Sequence, residues 1–194
     1  MLGGEPDPVL DIAGKKLRTG PGVEYYILPV IRGSGGGLTL ASSRTRNHSC
    51  PLDVVQEKHE VDNGLPLTFS PVNPKKGVVE VSTDLNVKFS GATICVQSTV
   101  WKLDLDESIG QYIVTTGGVE GNPSRETISN WFKIEILGDD YKLVFCPTVC
   151  SGTRPINTES AKSNRRVLPR LVRKSFDRRV DIFLLGFKEN CVTK

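Results

Sequence analysis

The residues of this chain that could perform chemistry are two histidines, five cysteines and scattered carboxylates. His48 lies in Asn47-His48-Ser49, beside Cys50, and His59 lies in the charged run 57–60. Both sets of neighbours are typical of surface residues rather than of a general base. The sequence has no Gly-Xaa-Ser-Xaa-Gly elbow and no phosphate-binding glycine loop. We therefore expect no enzymatic activity, no catalytic residue and no cofactor.

The cysteines do not have the paired spacing of a metal site. They are Cys50, Cys95, Cys146, Cys150 and Cys191, and no second close pair or histidine cluster accompanies the pair at 146 and 150. Disulfides are therefore favoured over a metal, and one cysteine is left over. Asn47 begins an N-glycosylation sequence, which would be used if the chain passes through the secretory pathway.

Length and composition indicate one domain, or one domain with an appendage. The chain has 194 residues, of which 38% are hydrophobic and 24% charged, and these values are ordinary for a soluble globular protein. No apolar run is long enough to span a membrane, and the first residues lack the features of a signal peptide. We therefore expect no membrane partner and no signal peptide within the chain as given.

The chain reads as a series of short strands from Tyr25 to Phe145, with almost no sustained helical period. New runs of strands begin near Val23, Val78 and Trp131, at separations of 55 and 53 residues. Each unit holds about four short strands, and three such units predict an all-β fold, the closed β-trefoil barrel. Trp101 and the Trp131-Phe132 pair would supply large core side chains.

Residues 70–77, Ser-Pro-Val-Asn-Pro-Lys-Lys-Gly, join two alternating runs, 65–69 and 78–82, that predict short strands. Pro71 and Pro74 restrict their own φ angles and push Ser70 and Asn73 towards extended conformations. We predict an exposed loop that is stiff and drawn out rather than coiled. Such a loop could enter the groove of another protein, although an ordinary solvated hairpin connection has the same pattern.

Several motifs resemble the Kunitz soybean-trypsin-inhibitor family, and within it the miraculin-like proteins of plants. The resemblance covers residues 7–150 in register. The motifs are Val9-Leu10-Asp11, Tyr25-Tyr26-Ile27, Cys50-Pro51, Asp84-Leu85-Asn86, Gly110-Gln111-Tyr112, Glu126-Thr127-Ile128-Ser129, Trp131-Phe132-Lys133-Ile134 and Tyr141-Lys142-Leu143-Val144-Phe145-Cys146-Pro147. It implies a β-trefoil, secretion or vacuolar storage, and inhibition of proteases, most often of the serine class and in some cases of the cysteine class.

The resemblance also implies roles for particular residues. It pairs Cys50 with Cys95 and begins a second disulfide at Cys146. The family's usual partner of that cysteine is missing from this sequence, and either Cys150 or Cys191 could replace it only with a geometry that the family does not have, so the second pairing stays open. The resemblance places the inhibitory loop at Pro71, Val72, Asn73, Pro74, Lys75 and Lys76. In the family's trypsin inhibitors the position of Asn73 carries Arg or Lys, so either Asn73 or a displaced lysine would be the primary contact. Thr19 stands where those inhibitors have an Asn that holds the loop. The alternative function is that of a non-inhibitory storage or defence binding protein.

The recognised motifs stop at Cys150, where the charge balance also changes. Residues 151–194 carry 11 Lys and Arg against 4 Asp and Glu, whereas residues 1–150 carry 14 against 18. A change of reading frame or a misjoined exon would explain why both breaks coincide. We expect residues 1–150 to hold two and a half units of the trefoil. Residues 151–194 would be a divergent basic segment that either closes the barrel, through the apolar run 180–187, or is disordered. The arginine-rich run of this segment contains one aromatic residue and no recognised motif, so it does not indicate a nucleic-acid site.

Overall fold

The computed structural model describes residues 5–30, 33, 35–42, 49–108, 110–149 and 179–187. Ten strands lie within these ranges. They are β1 (Tyr26–Leu28), β2 (Leu38–Ala41), β3 (Asp53–Gln56), β4 (Leu67–Pro71), β5 (Leu85–Phe89), β6 (Lys102–Asp106), β7 (Gln111–Thr115), β8 (Lys133–Leu137), β9 (Asp140–Phe145) and β10 (Arg179–Phe187). Two short 3-10 helices, Pro74–Lys76 and Ile128–Asn130, complete the regular structure described.

The strands form where apolar and polar residues alternate, because successive side chains of a strand point to opposite faces. In β4, Leu67, Phe69 and Pro71 are buried, whereas Thr68 and Ser70 are partly exposed. The antiparallel hairpin of β8 and β9 turns through two residues, Gly138 and Asp139. Gly138 has a φ of +64°, a conformation that glycine adopts without steric cost and that tight hairpin turns require.

The strands are arranged in three sheets that single bridges connect. Two sheets have four strands, in the orders β1-β10-β9-β8 and β2-β3-β7-β6, and the third pairs β4 with β5. Bridges join Tyr25 to Leu67, Leu85 to Phe132 and Lys88 to Val100. Together, pairings and bridges link β1, β4, β5, β8, β9 and β10 in succession, although none of the three described sheets is closed by itself.

A hydrophobic core of described residues lies inside this arrangement. Trp101, Trp131 and Phe132 are at most 1% exposed, as predicted for the large aromatic residues. Trp101 contacts Phe89 and Phe132, with ring centroids 5.5 and 6.1 Å apart, and Phe132 contacts Phe145 at 5.8 Å. Edge-on and tilted aromatic pairs of this kind stabilise a core beyond the area they bury.

One predicted strand differs in the structure, and the apolar run 180–187, one alternative for closing the barrel, is a strand. Residues 78–82 make only isolated bridges, Arg18 with Val78 and Pro8 with Glu80, so this run is not a regular strand. The run pairs with the N-terminal segment. Because that segment has no long strand, the hydrogen bonds between the two do not form a continuous β-ladder. The apolar run after residue 179 is β10, which pairs in parallel with both β1 and β9. The division of the chain at residue 150 stays a prediction.

Candidate functional site

The predicted loop leaves the body of the protein at the end of β4. Ser70 and Pro71 still pair with Asn86 and Leu85 of β5. Residues 72–76 are all exposed, and Gly77 ends the loop in the left-handed conformation with a φ of +65°. The loop therefore presents five consecutive exposed side chains between two ordered segments.

The second half of the loop is coiled, which contradicts the prediction of a drawn-out loop. Pro74, Lys75 and Lys76 form a 3-10 helix, and the N–H of Gly77 donates to the carbonyl of Pro74 at 3.2 Å. Proline suits the first position of a helix because its φ is already helical and its missing N–H would have had no partner there. Asn73 has φ −111° and ψ 88°, so only the stretch leading to Pro74 stays out of the helical region.

Main-chain hydrogen bonds hold both ends of the loop. The N–H of Val72 donates to the carbonyl of Asp84 at 2.9 Å, and the N–H of Thr19 donates to the carbonyl of Gly77 at 3.1 Å. Thr19 therefore supports the loop through its main chain, at the position where the resemblance expects an asparagine side chain. With both ends held, the exposed residues can move little relative to the core.

A buried ionic network lies behind the first of these attachment points. The carboxylate of Asp84 accepts three hydrogen bonds from Thr148, two from its N–H at 3.0 and 3.1 Å and one from its hydroxyl at 2.6 Å. The ammonium of Lys133 lies 3.8 Å from the same carboxylate and donates to the hydroxyl of Thr148 at 3.0 Å. Asp84 and Lys133 are 4% and 7% exposed. The carbonyl that holds Val72 thus belongs to a residue with little freedom to move.

The two lysines of the loop are not equivalent. The Nζ of Lys76 lies 2.9 and 3.1 Å from the carboxylate oxygens of Glu80 and 3.1 Å from that of Glu5. These partners raise the pKa of Lys76, the hydrogen bond that Lys76 donates to Glu80 having the largest effect. Lys75 is exposed, and in the described part of the chain it has no ion-pair partner. Lys76 is therefore held against the protein, whereas Lys75 is available to a partner.

A second ionic contact lies on the strand side of the loop. The hydroxyl of Ser70 donates to the carboxylate of Glu120 at 2.5 Å, and the ammonium of Lys88 lies 3.2 Å from the same carboxylate. The pKa of Glu120 is lowered, first by the hydrogen bond from Ser70 and then by Lys88, which together outweigh its partial burial. These contacts fix the side chain that precedes Pro71.

Comparison with known sequences decides the family. The sequence model of the Kunitz legume family, described as trypsin and protease inhibitors, matches residues 9–179. The chain belongs to this family. The match continues past Cys150, where the motifs recognised in the sequence end. Membership in a family described as inhibitors also confirms the prediction that the chain is not an enzyme.

Relatives of this Kunitz chain are plant proteins. Miraculin of Synsepalum dulcificum is 59% identical over 156 residues, which are 77% of this chain and 70% of that protein. Kunitz trypsin inhibitor 5 of Arabidopsis thaliana is 50% identical over 146 residues, which are 75% of this chain and 69% of that protein. The predicted resemblance to miraculin and the Kunitz inhibitors is therefore confirmed.

The solved structures confirm the predicted fold. The Kunitz-type cysteine protease inhibitor from potato superimposes with a TM-score of 0.62 at 32% identity, over 77% of this chain and 82% of that one. The all-β, β-trefoil fold predicted from the sequence is thus the fold of this Kunitz chain.

The remaining predicted site residues lie in different places. Cys50 and Cys95 form the disulfide that the resemblance implied, with Cα atoms 5.8 Å apart. Cys146 is also disulfide-bonded, and its partner lies outside the described residues, as do both candidates, Cys150 and Cys191. Asn47, the predicted glycosylation site, lies outside them too.

The supporting residues Asp84, Glu80 and Glu120 were not singled out from the sequence as part of the site. Glu80 stands four positions after Lys76, so its charge was a usable signal. Asp84 and Thr148 are separated by 64 positions, and no local pattern predicts that they meet. Among the described residues there is no group of acidic, histidine or cysteine side chains that could hold a metal ion, and no helix long and apolar enough to cross a membrane.

Proposed function

We propose that this Kunitz chain inhibits an endopeptidase by inserting the loop 70–77 into the active-site cleft. The observation that carries the proposal is an exposed loop held at both ends by main-chain hydrogen bonds, one of them from Val72 to a residue of the buried Asp84 network. A segment that is already ordered loses little conformational entropy on binding, so more of the contact energy becomes affinity. The main chain leaving β4 can lie along the cleft as an added strand.

Attachment at both ends also explains how such a loop inhibits rather than serves as a substrate. If a bond within residues 72–76 were cut, the hydrogen bonds of Val72 and Gly77 would keep the new ends near each other. The ends could then rejoin, because bond formation between two groups held together avoids the entropic cost of bringing them together. Serine proteases are the expected class. Cysteine proteases fit the same mode of binding, since a relative with the same fold is a cysteine protease inhibitor.

The proposed compartment is the secretory pathway or the vacuole. The disulfide between Cys50 and Cys95 supports it, because such bonds persist mainly where the surroundings are oxidising. Glycosylation of Asn47 would follow from passage through the same pathway and stays a prediction.

The test is a titration of the oxidised protein against trypsin, chymotrypsin and a papain-type protease, with circular dichroism on the same sample. A loop variant replaces residues 72–76 by five glycines and serines, and Lys58→Ala, an exposed lysine far along the chain from the loop, is the control. We expect the loop variant to bind at least about 30-fold more weakly, since ordering even two free residues costs roughly 2–4 kcal/mol.

Unchanged inhibition by the loop variant would place the contact elsewhere on the protein and contradict the proposal. A folded parent that inhibits no endopeptidase would favour the alternative, a storage or defence binding protein. That alternative shares the scaffold but makes no use of the exposed loop.

A further inference from the structure

The loop offers different side chains to a partner in its extended and its coiled half. Val72 and Asn73 follow directly from β4, whereas Lys75 lies within the 3-10 helix. Endopeptidases bind the residues before the reactive bond as an extended strand. The strand itself ends at Pro71 and the chain bends at Val72, but Asn73, with φ −111° and ψ 88°, still lies outside the helical region that holds Lys75. The structure therefore favours Asn73 over Lys75 as the residue that enters the primary specificity pocket.

The side chain of Asn73 is available for recognition. Asn73 is exposed, and although it occupies the position before the 3-10 helix, its carboxamide makes no capping hydrogen bond to that helix. Asparagine is often used at that position because its oxygen can accept a main-chain N–H of the first turn. Here both the oxygen and the amino group of the carboxamide can instead bind a partner.

The ion pairs of the loop remove one competitor of Asn73. Lys76 is held by Glu5 and Glu80, which leaves Lys75, within the 3-10 helix, as the lysine that competes with Asn73 for the pocket. A carboxamide is neutral and has both donors and an acceptor, so it suits a pocket built from hydrogen-bonding groups rather than one with a single buried acid.

The residue after Asn73 would prevent turnover. The peptide bond that follows Asn73 is made to the nitrogen of Pro74, which has no N–H. That nitrogen would be the leaving group of cleavage and would have to be protonated, and the proline ring lies on the side from which the proton must come. A protease that accepts Asn73 would therefore hold the loop in place without a susceptible bond. Pro74 also begins the 3-10 helix that carries the chain away from the cleft.

We infer that the partner of this loop is an asparagine-specific endopeptidase, and that Asn73 with Pro74 makes the loop a ligand that the enzyme binds but does not cut. This inference rests on the proposed function, because it names the class of protease for the same loop.

The experiment titrates the oxidised protein against a purified asparagine-specific endopeptidase and, in parallel, against trypsin. Asn73→Ala should weaken inhibition of the asparagine-specific enzyme at least about 100-fold, because hydrogen-bonding groups in its pocket would be left without partners. Asn73→Asp should weaken it comparably near neutral pH, since a carboxylate cannot donate hydrogen bonds. Lys58→Ala is the matched control for a remote surface change.

A second readout detects cleavage rather than affinity. After prolonged incubation and reduction, mass spectrometry should find the parent chain intact and the Pro74→Ala variant cut after residue 73. Cleavage of the parent at that bond, or resistance of the variant that still binds, would contradict the role assigned to Pro74.

The outcomes separate the inference from the function on which it rests. Inhibition of trypsin alone, abolished by Lys75→Ala, would overturn the inference and leave loop-mediated inhibition standing. A folded protein that inhibits neither these two enzymes nor the papain-type and chymotrypsin-type enzymes would overturn both.

Discussion

Replacing Asp84 by alanine should destabilise the protein more than any exposed charge change, because it removes the acid of a buried ionic network. Asp84 lies beneath the attachment point of Val72, and its carboxylate is shared between Thr148 and Lys133. In the Asp84→Ala variant the side chain of Lys133, 7% exposed, would lose its acidic partner.

The magnitude follows from the distances. Two unit charges 3.8 Å apart attract each other by about 4 kcal/mol at an effective dielectric constant of about 20. The N–H and hydroxyl of Thr148 lose their acceptors as well, at about 1 kcal/mol for each such bond. Relaxation and entry of water recover part of this sum, so we expect a loss of about 3–5 kcal/mol in the free energy of unfolding.

Urea unfolding of the oxidised protein measures this change, with the fluorescence of the buried Trp101 and Trp131 as the signal. Glu24→Ala, which alters an exposed acid, is the control and should change stability by less than about 0.5 kcal/mol. The double variant Asp84→Ala with Lys133→Met should be more stable than Asp84→Ala alone, because it has no unpaired buried charge. The reasoning would be refuted if Asp84→Ala lowered the free energy of unfolding by less than about 1 kcal/mol, or if the double variant were no more stable than Asp84→Ala.

Two further predictions concern the disulfide and the strand side of the loop. Replacing Cys50 and Cys95 together by serine should lower the free energy of unfolding by about 4 kcal/mol, since the bond closes a loop with a sequence separation of 45. Urea unfolding with and without reductant would measure this change. Equal stabilities of the parent and the variant would contradict the prediction. Glu120→Gln should reduce stability at neutral pH and lose its effect in acid. The pKa of Glu120 is lowered below its usual value of 4.5, so its ionised form stabilises the fold above that pH and the contribution disappears as the pH falls through the folded-state pKa. The free energy of unfolding of both proteins would be measured between neutral pH and about pH 3. The difference between the two should narrow as the pH falls, and a constant difference would contradict the role assigned to ionised Glu120.

Strand positions and core residues were predictable because alternation is a local property. Leu67, Phe69 and Pro71 face the core because they occupy every second position of one strand. Trp101 and Phe132 lie in the core because no other place in a small β fold removes so much apolar surface from water. The Cys50–Cys95 disulfide and the family were predicted from sequence motifs. A motif is recognised from the order of its residues along the chain, without knowing which distant residues they contact.

The coiled half of the loop shows where local reasoning was incomplete. Two prolines favour an extended chain at the residues that precede them, but Pro74 is equally suited to begin a helix. The outcome depended on Gly77, which can adopt the left-handed conformation that ends the turn, and on the main-chain hydrogen bond from Thr19. The hydrogen bond from Thr19 exists only because the fold places the N-terminal segment beside the loop, and the sequence of the loop alone does not show this.

By itself, the sequence determined an all-β chain, its aromatic core, the family and the position of the exposed loop. Only the tertiary structure decided that Lys76 is held by Glu5 and Glu80 while its neighbour Lys75 is not, and that Asp84 supports the loop from within. The reason is physical: alternation and turn preferences act between neighbouring residues, whereas an ion pair or a buried hydrogen bond depends on which distant segments the folded chain brings within a few ångströms.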